Sequence, residues 1–441
     1  MKKRWIVLAA VTLLAVTVFS TEVLNADEKR ATEEYNRGLQ LLQKGKYDEA
    51  ISSFTKALKE GGEGWLWEGV AYVNRGWAYQ QKGDYDMAIA DFNRALEIDP
   101  QFAFAYNNRG LVYAAQKQYT KAIADYDRAI KSEPGFAIAY NNRGLAYTKI
   151  GQYDKAVSDF DKAIELGPKF TAAYYNRGLA LAAQAKYSKA LADYTKAIQL
   201  SPKFALAYNV RGLAYWDKGQ YDAAITDFTK CIGLKPPLPL IAWAHNNRGV
   251  VYHWQGVNTK AASDYSKAIE LDPEYRTAYN NRGLLFYEKG EYAKAIADFS
   301  KALELDPKYP KAWNNKGRAL AKMDRFGEAI ECFDKAIKIE PDHTRALVRK
   351  GFALEKWGKN EEAQAVYDVA LKADEEKYEG SEKAETIYTK ALVYARLRDK
   401  ENCLKTLKRS LEILPRLKDE AKKEELLKQY WNDQDFKAVV D

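Results

Sequence analysis

The chain has 441 residues, too many for a single hydrophobic core, so several domains or a repeat array are expected. With 47% hydrophobic and 29% charged residues, 12 prolines and 26 glycines, it is too apolar for disorder and too evenly mixed for a membrane bundle. Its net charge of +8 arises from 69 basic and 61 acidic residues interspersed along the chain, without the clustering a nucleic-acid footprint needs, so no nucleic acid is expected as partner.

Residues 1–26 read as a secretory signal: a basic start from Met1 to Arg4, an apolar run from Trp5 to Phe19, then small and polar residues. The run is short for a bilayer span. Cleavage after Ser20 or after Ala26 fits; an uncleaved membrane anchor through residues 5–19 is the alternative, because Leu24 is a poor residue two places before Ala26. Cleavage after Ala26 removes Lys2, Lys3, Arg4 and Glu22 and leaves a net charge of +6. Either way the body is expected outside the cytoplasm, in the periplasm or associated with the cell envelope. No cysteine near the end of the run offers a site for lipid. Cys231, Cys332 and Cys403 are too few and odd in number for a disulfide framework, and their places in the repeat point to packing.

Self-similarity governs the rest, anchored on a glycine that follows a basic residue: Gly38, Gly76, Gly110, Gly144, Gly178, Gly212, Gly249, Gly283, Gly317 and Gly351, with Ala391 in the eleventh copy. The spacing is 34 residues seven times, and 38, 37 and 40 before Gly76, Gly249 and Ala391. Twelve residues after the glycine stands alanine in ten copies, sixteen after it an aromatic such as Phe92, Tyr126 or Phe160, and twenty-four after it a proline in nine copies, from Pro100 to Pro341 and again at Pro415. Small residues let two helices approach closely, and proline ends the second because it lacks an amide hydrogen and disfavours helix in the residue before it. The unit is helix, turn, helix, stop. Such hairpins are stable only when stacked on their neighbours. The three insertions, near Trp65 and Trp67, Pro236 to Pro239, and Glu376 to Ala384, all fall between one hairpin and the next.

A stretch such as AYNNRGLAYTKIGQYDKAVSDFDKAIELGPKF from Ala139 resembles the tetratricopeptide-repeat family at nearly every signature position. The resemblance implies an all-α fold, a right-handed superhelical α-solenoid of about eleven hairpins, at residues 31–64, 69–102, 103–136, 137–170, 171–204, 205–238, 242–275, 276–309, 310–343, 344–377 and 384–417. Copies one, ten and eleven depart most, with Glu34, Leu347 and Ile387 at the early aromatic place and Gly62 and Glu375 in place of proline. Residues 418–441, with Ala421, Leu427, Tyr430 and Trp431 among lysines and glutamates, are expected to form a capping helix and tail.

Eight arginines precede the glycines of copies one to eight and suggest an anion ladder, but the repeat argues for a scaffold role. Arg75, Arg109, Arg143, Arg177, Arg211, Arg248 and Arg282 are each followed sixteen residues later by Asp91, Asp125, Asp159, Asp193, Asp227, Asp264 or Asp298 on the matching face of the second helix. Where lysine replaces arginine, at Lys316, Lys350 and Lys390, the aspartate is absent. A planar guanidinium suits a half-buried bidentate pair, whereas lysine can reach past to water.

In the family the other stripe of the first helix lines a concave groove. Here it carries an asparagine row two places before the glycine, including Asn74, Asn108, Asn142, Asn176, Asn247, Asn281 and Asn315, and a second row three places before it, including Asn107, Asn141, Asn246, Asn280 and Asn314. A carboxamide donates and accepts, so such rows can grip the backbone of an extended peptide, bond to neighbouring helices, or do both. Leu111, Leu145, Leu179, Leu213 and Leu284 give the stripe an apolar floor. Trp216, Trp243, His253, Trp254 and Tyr287 form an aromatic patch suited to a peptide side chain or a sugar ring, or to packing against the Pro236 to Pro239 insertion. Lys311, Arg318, Lys322, Arg345, Arg349 and Lys356 make a basic end that either receives an acidic segment or keeps that surface soluble. The two-carboxylate clamp of chaperone-tail-binding repeats is not matched, since no copy has lysine three places before the glycine.

His245, His253 and His343 have no metal-ligand spacing, and there is neither a phosphate loop nor a nucleophile elbow. No enzyme activity, metal or cofactor is expected. The chain is read as a non-catalytic protein-protein interaction scaffold of the cell envelope that binds a peptide or partner protein; a glycan-binding module and a purely architectural spacer are the alternatives.

Overall fold

The computed structural model describes residues 25–441 except 342, 374, 378–379 and 415–416. The apolar run Trp5–Phe19 and Pro415 lie outside the described residues, as does the expected signal up to residue 24. Asn25 caps the first helix, Ala26–Gln43: its side chain accepts from the amides of Asp27 and Glu28, and Glu28 returns a bond to the Asn25 amide. Among the described residues no helix is long and apolar enough to cross a membrane, and no strand occurs.

Helices alternate in antiparallel-type hairpins, such as Ala137–Lys149 with Tyr153–Leu166 and Pro310–Ala321 with Phe326–Ile339. The chain divides at Leu234 and Lys235 into two compact units. Within each, the first helix of one copy lies against the first helix of the next, as Ala103–Ala115 does against Ala137–Lys149, and the second helix is wedged between its own partner and the following copy. First helices therefore form one layer and second helices another. Second helices end two residues before the proline, at Ile98, Ser132, Leu166, Leu200, Leu271, Leu305 and Ile339, as the steric demand of the ring requires.

The anchoring glycine exists for one contact. A methyl group built on Gly144 would sit 2.7 Å from Cε1 of Phe160, which is fully buried. The same conflict recurs with Phe92 at Gly76, Tyr194 at Gly178 and Phe299 at Gly283. In the eleventh copy Ala391 occupies the glycine place, and there the aromatic is replaced by Leu407; both are fully buried. A smaller ring-free side chain makes room for the extra carbon.

The hairpin turn imposes a second constraint that the sequence reading missed. Seven residues after the anchor the backbone is left-handed, with φ of 86° at Gly83, 76° at Gly151 and 75° at Gly290. Lys117, Ala185, Asp324 and Arg398 adopt φ of 57–62° at the same place, a strain of about 1–2 kcal/mol each.

The cap differs from a single helix. It comprises Leu417–Ala421, a 3-10 turn at Glu425–Tyr430, and Gln434–Val440. Asp433 restarts the last piece by accepting from the amides of Asp435 and Phe436, and Phe436, Val440, Leu417 and Leu427 bury themselves with Leu407 and Leu411. Three short pieces let the chain follow the end of the last hairpin where one straight helix would not.

Candidate ligand-binding face

The expected ion pairs are formed in the interior. Each of the seven arginines from Arg75 to Arg282 donates from Nε and Nη2 to both carboxylate oxygens of its aspartate at 2.6–2.9 Å. In six of the seven the tyrosine three places earlier stacks on the guanidinium, as Tyr140 does on Arg143 at 5.5 Å; before Arg248 that place holds His245. Burial pushes the carboxyls of Asp91 and Asp159 above their ordinary value. Burial opposes ionisation of Asp264 too, yet Arg248, with His245 at 2.8 Å, holds it below that value.

The remaining arm of each guanidinium carries a function that the pair alone did not suggest. Nη1 reaches back to the preceding copy, to Thr55, Asn93, Asp127, Asp161, Thr195 and Ser266 at 2.6–3.2 Å from Arg75, Arg109, Arg143, Arg177, Arg211 and Arg282 respectively. The signal was present as a polar residue seventeen places after each glycine. Lys350 uses it as well, 2.6 Å from Asp334, which corrects the expectation that lysine reaches only water.

The asparagine rows are joined to each other. Asn142 Nδ2 donates to Asn107 Oδ1 at 2.9 Å, Asn176 to Asn141 at 2.9 Å, Asn281 to Asn246 at 3.0 Å and Asn315 to Asn280 at 3.0 Å. Asn74 donates instead to the Tyr35 hydroxyl at 2.9 Å. Asn107, Asn142, Asn176 and Asn315 are buried. Of the two destinations expected for the rows, the structure shows bonds to neighbouring helices: Asn142, Asn176, Asn281 and Asn315 each give an amide hydrogen to a stitch from one first helix to the one before. Asn108 follows Val73, which offers no acceptor side chain, and stays half-buried, as does Asn247.

What the layer leaves accessible is apolar and basic. Leu111, Leu145, Leu179 and Leu284 are half-buried and Leu213 is 37% exposed. The aromatic patch divides between the units, with Trp216 in the first, packed on Tyr221 at 5.3 Å between centroids, and Trp243, Trp254 and Tyr287 in the second. Tyr287 is stacked under the Arg318 guanidinium at 4.5 Å.

Within the C-terminal unit a cavity of about 820 Å³ opens between the first helices of copies eight to eleven and the cap. Seven basic side chains line it, Arg318, Lys322, Arg345, Arg349, Lys356, Arg396 and Lys423, against the acids Glu288, Asp324, Glu420 and Glu424. Arg345 lies 3.3 Å from Glu420 and 3.9 Å from Glu385. Arg349 stands at the place where earlier copies carry asparagine. Burial, with Arg318 and Arg345 close by, pushes its guanidinium down to about 9. Its Nη1 is buried with no protein partner, and so is the hydroxyl of Tyr388. The cap residues were invisible to the repeat pattern because they lie beyond it; the one advance sign was arginine interrupting the asparagine row.

Cys231, Cys332 and Cys403 are buried and unpaired, their thiols pushed by burial up to about 12, 11 and 12. Among the described residues no cluster of three histidine, cysteine or acidic side chains could hold a metal.

A fold of stacked helical hairpins with this anchoring geometry is that of a tetratricopeptide α-solenoid. The chain belongs to the tetratricopeptide-repeat family: the family's models match residues 69–102, 137–170, 171–204 and 310–343, 110–151, 254–290 and 283–324, 35–60, 205–237 and 344–377, and 92–124. Repeat proteins of this family are in general non-catalytic scaffolds that bind peptides or proteins. No curated protein matches the chain. Among solved structures it is similar to a tetratricopeptide repeat protein of Parabacteroides merdae ATCC 43184, at 21% identity over 58% of this chain and 99% of that one, TM-score 0.46. It is also similar to MamA, at 30% identity over 36% of this chain and 94% of that one, TM-score 0.34. A third is YrrB, described as a TPR protein with an unusual peptide-binding site, at 29% identity over 43% of this chain and 95% of that one, TM-score 0.34.

Proposed function

We propose that this protein is a non-catalytic scaffold that holds an extended peptide or a partner protein against the first-helix layer of its hairpins, in the cell envelope. Organisation of residues 31–417 into eleven copies with a cap at 418–441 belongs to the same reading, and export rests on the signal-like composition of residues 1–26. The observation that carries it is the division of labour on the first helices. Arginines from Arg75 to Arg282 and several asparagines are consumed between helices, while in each unit leucines and aromatics of the first helices that pack on the core by one side keep part of their surface accessible. Half-exposed Leu111, Leu145, Leu179 and Leu213 in the first unit offer apolar contact, and Trp243, Trp254 and Tyr287 in the second supply rigid rings that lose little entropy on binding.

The test places a photo-crosslinking residue at Leu179, Leu213 or Leu284 on the first-helix layer and, as control, at exposed Lys196 on a second helix, in the full chain expressed in its own cell. A common partner trapped from the first three positions and absent from Lys196 is the expected result. Equal trapping at all four, or at none, refutes the reading.

A further inference from the structure

The cavity of the C-terminal unit has two features that a solvating surface does not need. It gathers donors without acceptors: Arg349 Nη1 and the Tyr388 hydroxyl are both buried and have no partner in the protein, and Tyr388 as a whole is 1% exposed. Leaving a buried donor unmade is costly, and both donors belong to residues that line one space. Seven basic side chains line the cavity against four acidic ones, and two further acids lie behind them, Glu355 at 2.6 Å from Arg396 and Glu385 at 3.9 Å from Arg345, so the lining keeps a slight positive balance.

The repeat shows that this chemistry is a local departure. Asparagine two places before the glycine is replaced by Arg349 in copy ten, and leucine one place after it is replaced by Arg318 in copy nine. The stitch between copies stops at the same point, for Asn314 Oδ1, the acceptor that the next asparagine would have met, is itself buried and without a partner. Copies nine and ten thus lose a stabilising bond and gain a guanidinium in its place. The cap completes the enclosure, setting Glu420 against Arg345.

We propose that this cavity binds a phosphoryl group, taken as free phosphate or on a phosphorylated residue of a peptide, through Arg318, Arg345, Arg349 and Tyr388. A phosphoryl dianion has only acceptor oxygens and carries about −1.5 to −2 charge at neutral pH, so it suits a site of guanidinium and hydroxyl donors and neutralises excess positive charge that a single carboxylate would leave. Planar guanidinium forks meet its oxygens in pairs. Burial, and after it Arg318 and Arg345, lower the proton affinity of Arg349. Tyr388 remains a donor, because burial and then Glu420 and Glu424 raise its hydroxyl well above the ordinary value. The inference deepens the scaffold reading by naming a ligand chemistry for one end of the first-helix layer.

The experiment titrates the full chain by calorimetry with three probes at fixed ionic strength: inorganic phosphate, the blocked peptide Ala-Ala-phosphoserine-Ala-Ala, and its Ala-Ala-Glu-Ala-Ala counterpart. Binding of phosphate or of the phosphopeptide at least ten-fold tighter than the glutamate peptide is expected. Response to both phosphoryl probes assigns the pocket to a phosphorylated peptide, and response to phosphate alone assigns it to the free ion. Equal affinity for the glutamate peptide, or no binding of either phosphoryl probe, overturns the proposal. Arg349→Gln and Tyr388→Phe should lower phosphoryl affinity at least ten-fold and about three-fold with unchanged helicity; should Arg349→Gln disturb folding, Arg318→Gln, on the accessible rim, must give the loss instead. Unaltered affinity in the folded variants also overturns it. None of these results bears on whether a partner crosslinks to Leu179 or Leu213, so the two readings fail separately.

Discussion

Replacing Asn142 by alanine tests whether the asparagine row belongs to the fold. Asn142 and Asn107 are 3% and 5% exposed and are joined at 2.9 Å between the helices Ala137–Lys149 and Ala103–Ala115. Truncation removes a hydrogen bond of net value about 1 kcal/mol and leaves the Asn107 carbonyl buried without its donor, a penalty of roughly 1–3 kcal/mol. The two terms overlap in part, so a loss of about 2–3 kcal/mol is expected. Asn36 is the internal control: it holds the same repeat position in the first copy, follows no hairpin among the described residues, and is exposed, so Asn36→Ala should change stability by less than about 0.5 kcal/mol. Urea unfolding followed by far-UV circular dichroism gives the comparison. Because a chain of two compact units need not melt in one step, amide exchange across the two helices localises the loss. A double-mutant cycle with Asn107→Ala should show a coupling of about 1–2 kcal/mol. If Asn142→Ala behaves like Asn36→Ala, or if the cycle is additive, the stitch does not hold the copies together and the row returns to the ligand-binding face.

Two further predictions concern the core and the basic end. Gly144→Ala should destabilise by about 2–3 kcal/mol, since the added carbon meets the Phe160 ring at 2.7 Å and overpacking has that order of cost; adding Phe160→Leu, the combination already present at Ala391 and Leu407, should recover part of the loss in the thermal midpoint, and no recovery would show that the clash is not with the ring. His343 is held neutral: burial first, then Arg345, Arg349 and Lys311, push it down to about 4 from 6.5, and its Nε2 is buried without a partner although Nδ1 lies 3.5 Å from Glu340. An imidazole whose folded value is depressed contributes stability that is complete above pH 6.5 and is lost as pH falls toward about 4, here at most about 3 kcal/mol. Urea midpoints at pH 7 and pH 4.5 should therefore fall further in the native protein than in His343→Leu, and equal slopes would contradict the assignment.

The repeat period, the hairpin, the proline stop and the pairing of arginine with aspartate were all legible in the sequence, because each is a contact between residues at fixed separation within one copy. A period repeated so often makes such contacts visible by alignment of the chain with itself. The αL turn was equally periodic but hidden by its substitutions, since Lys117, Ala185, Asp324 and Arg398 accept a conformation that glycine elsewhere advertises. Contacts between copies were less legible. The asparagine rows announced a polar pattern and left two destinations open; only the packing of one first helix on the next brings Asn142 to Asn107 and shows one of them taken.

The basic end shows the same boundary most clearly. Its arginines could be read from the stripe, but the sequence gives no distance between copy nine and the cap. Glu420 and Glu424 join Arg318, Arg345 and Arg349 only because the cap folds back on the last hairpins, and Tyr388 joins them through packing of the eleventh copy on the tenth. By itself the sequence determined the unit and its repetition, since those follow from local helix geometry and side-chain volume. Tertiary structure decided which polar groups are spent on the fold and which remain for a ligand, since that depends on which side chains burial brings within hydrogen-bond reach.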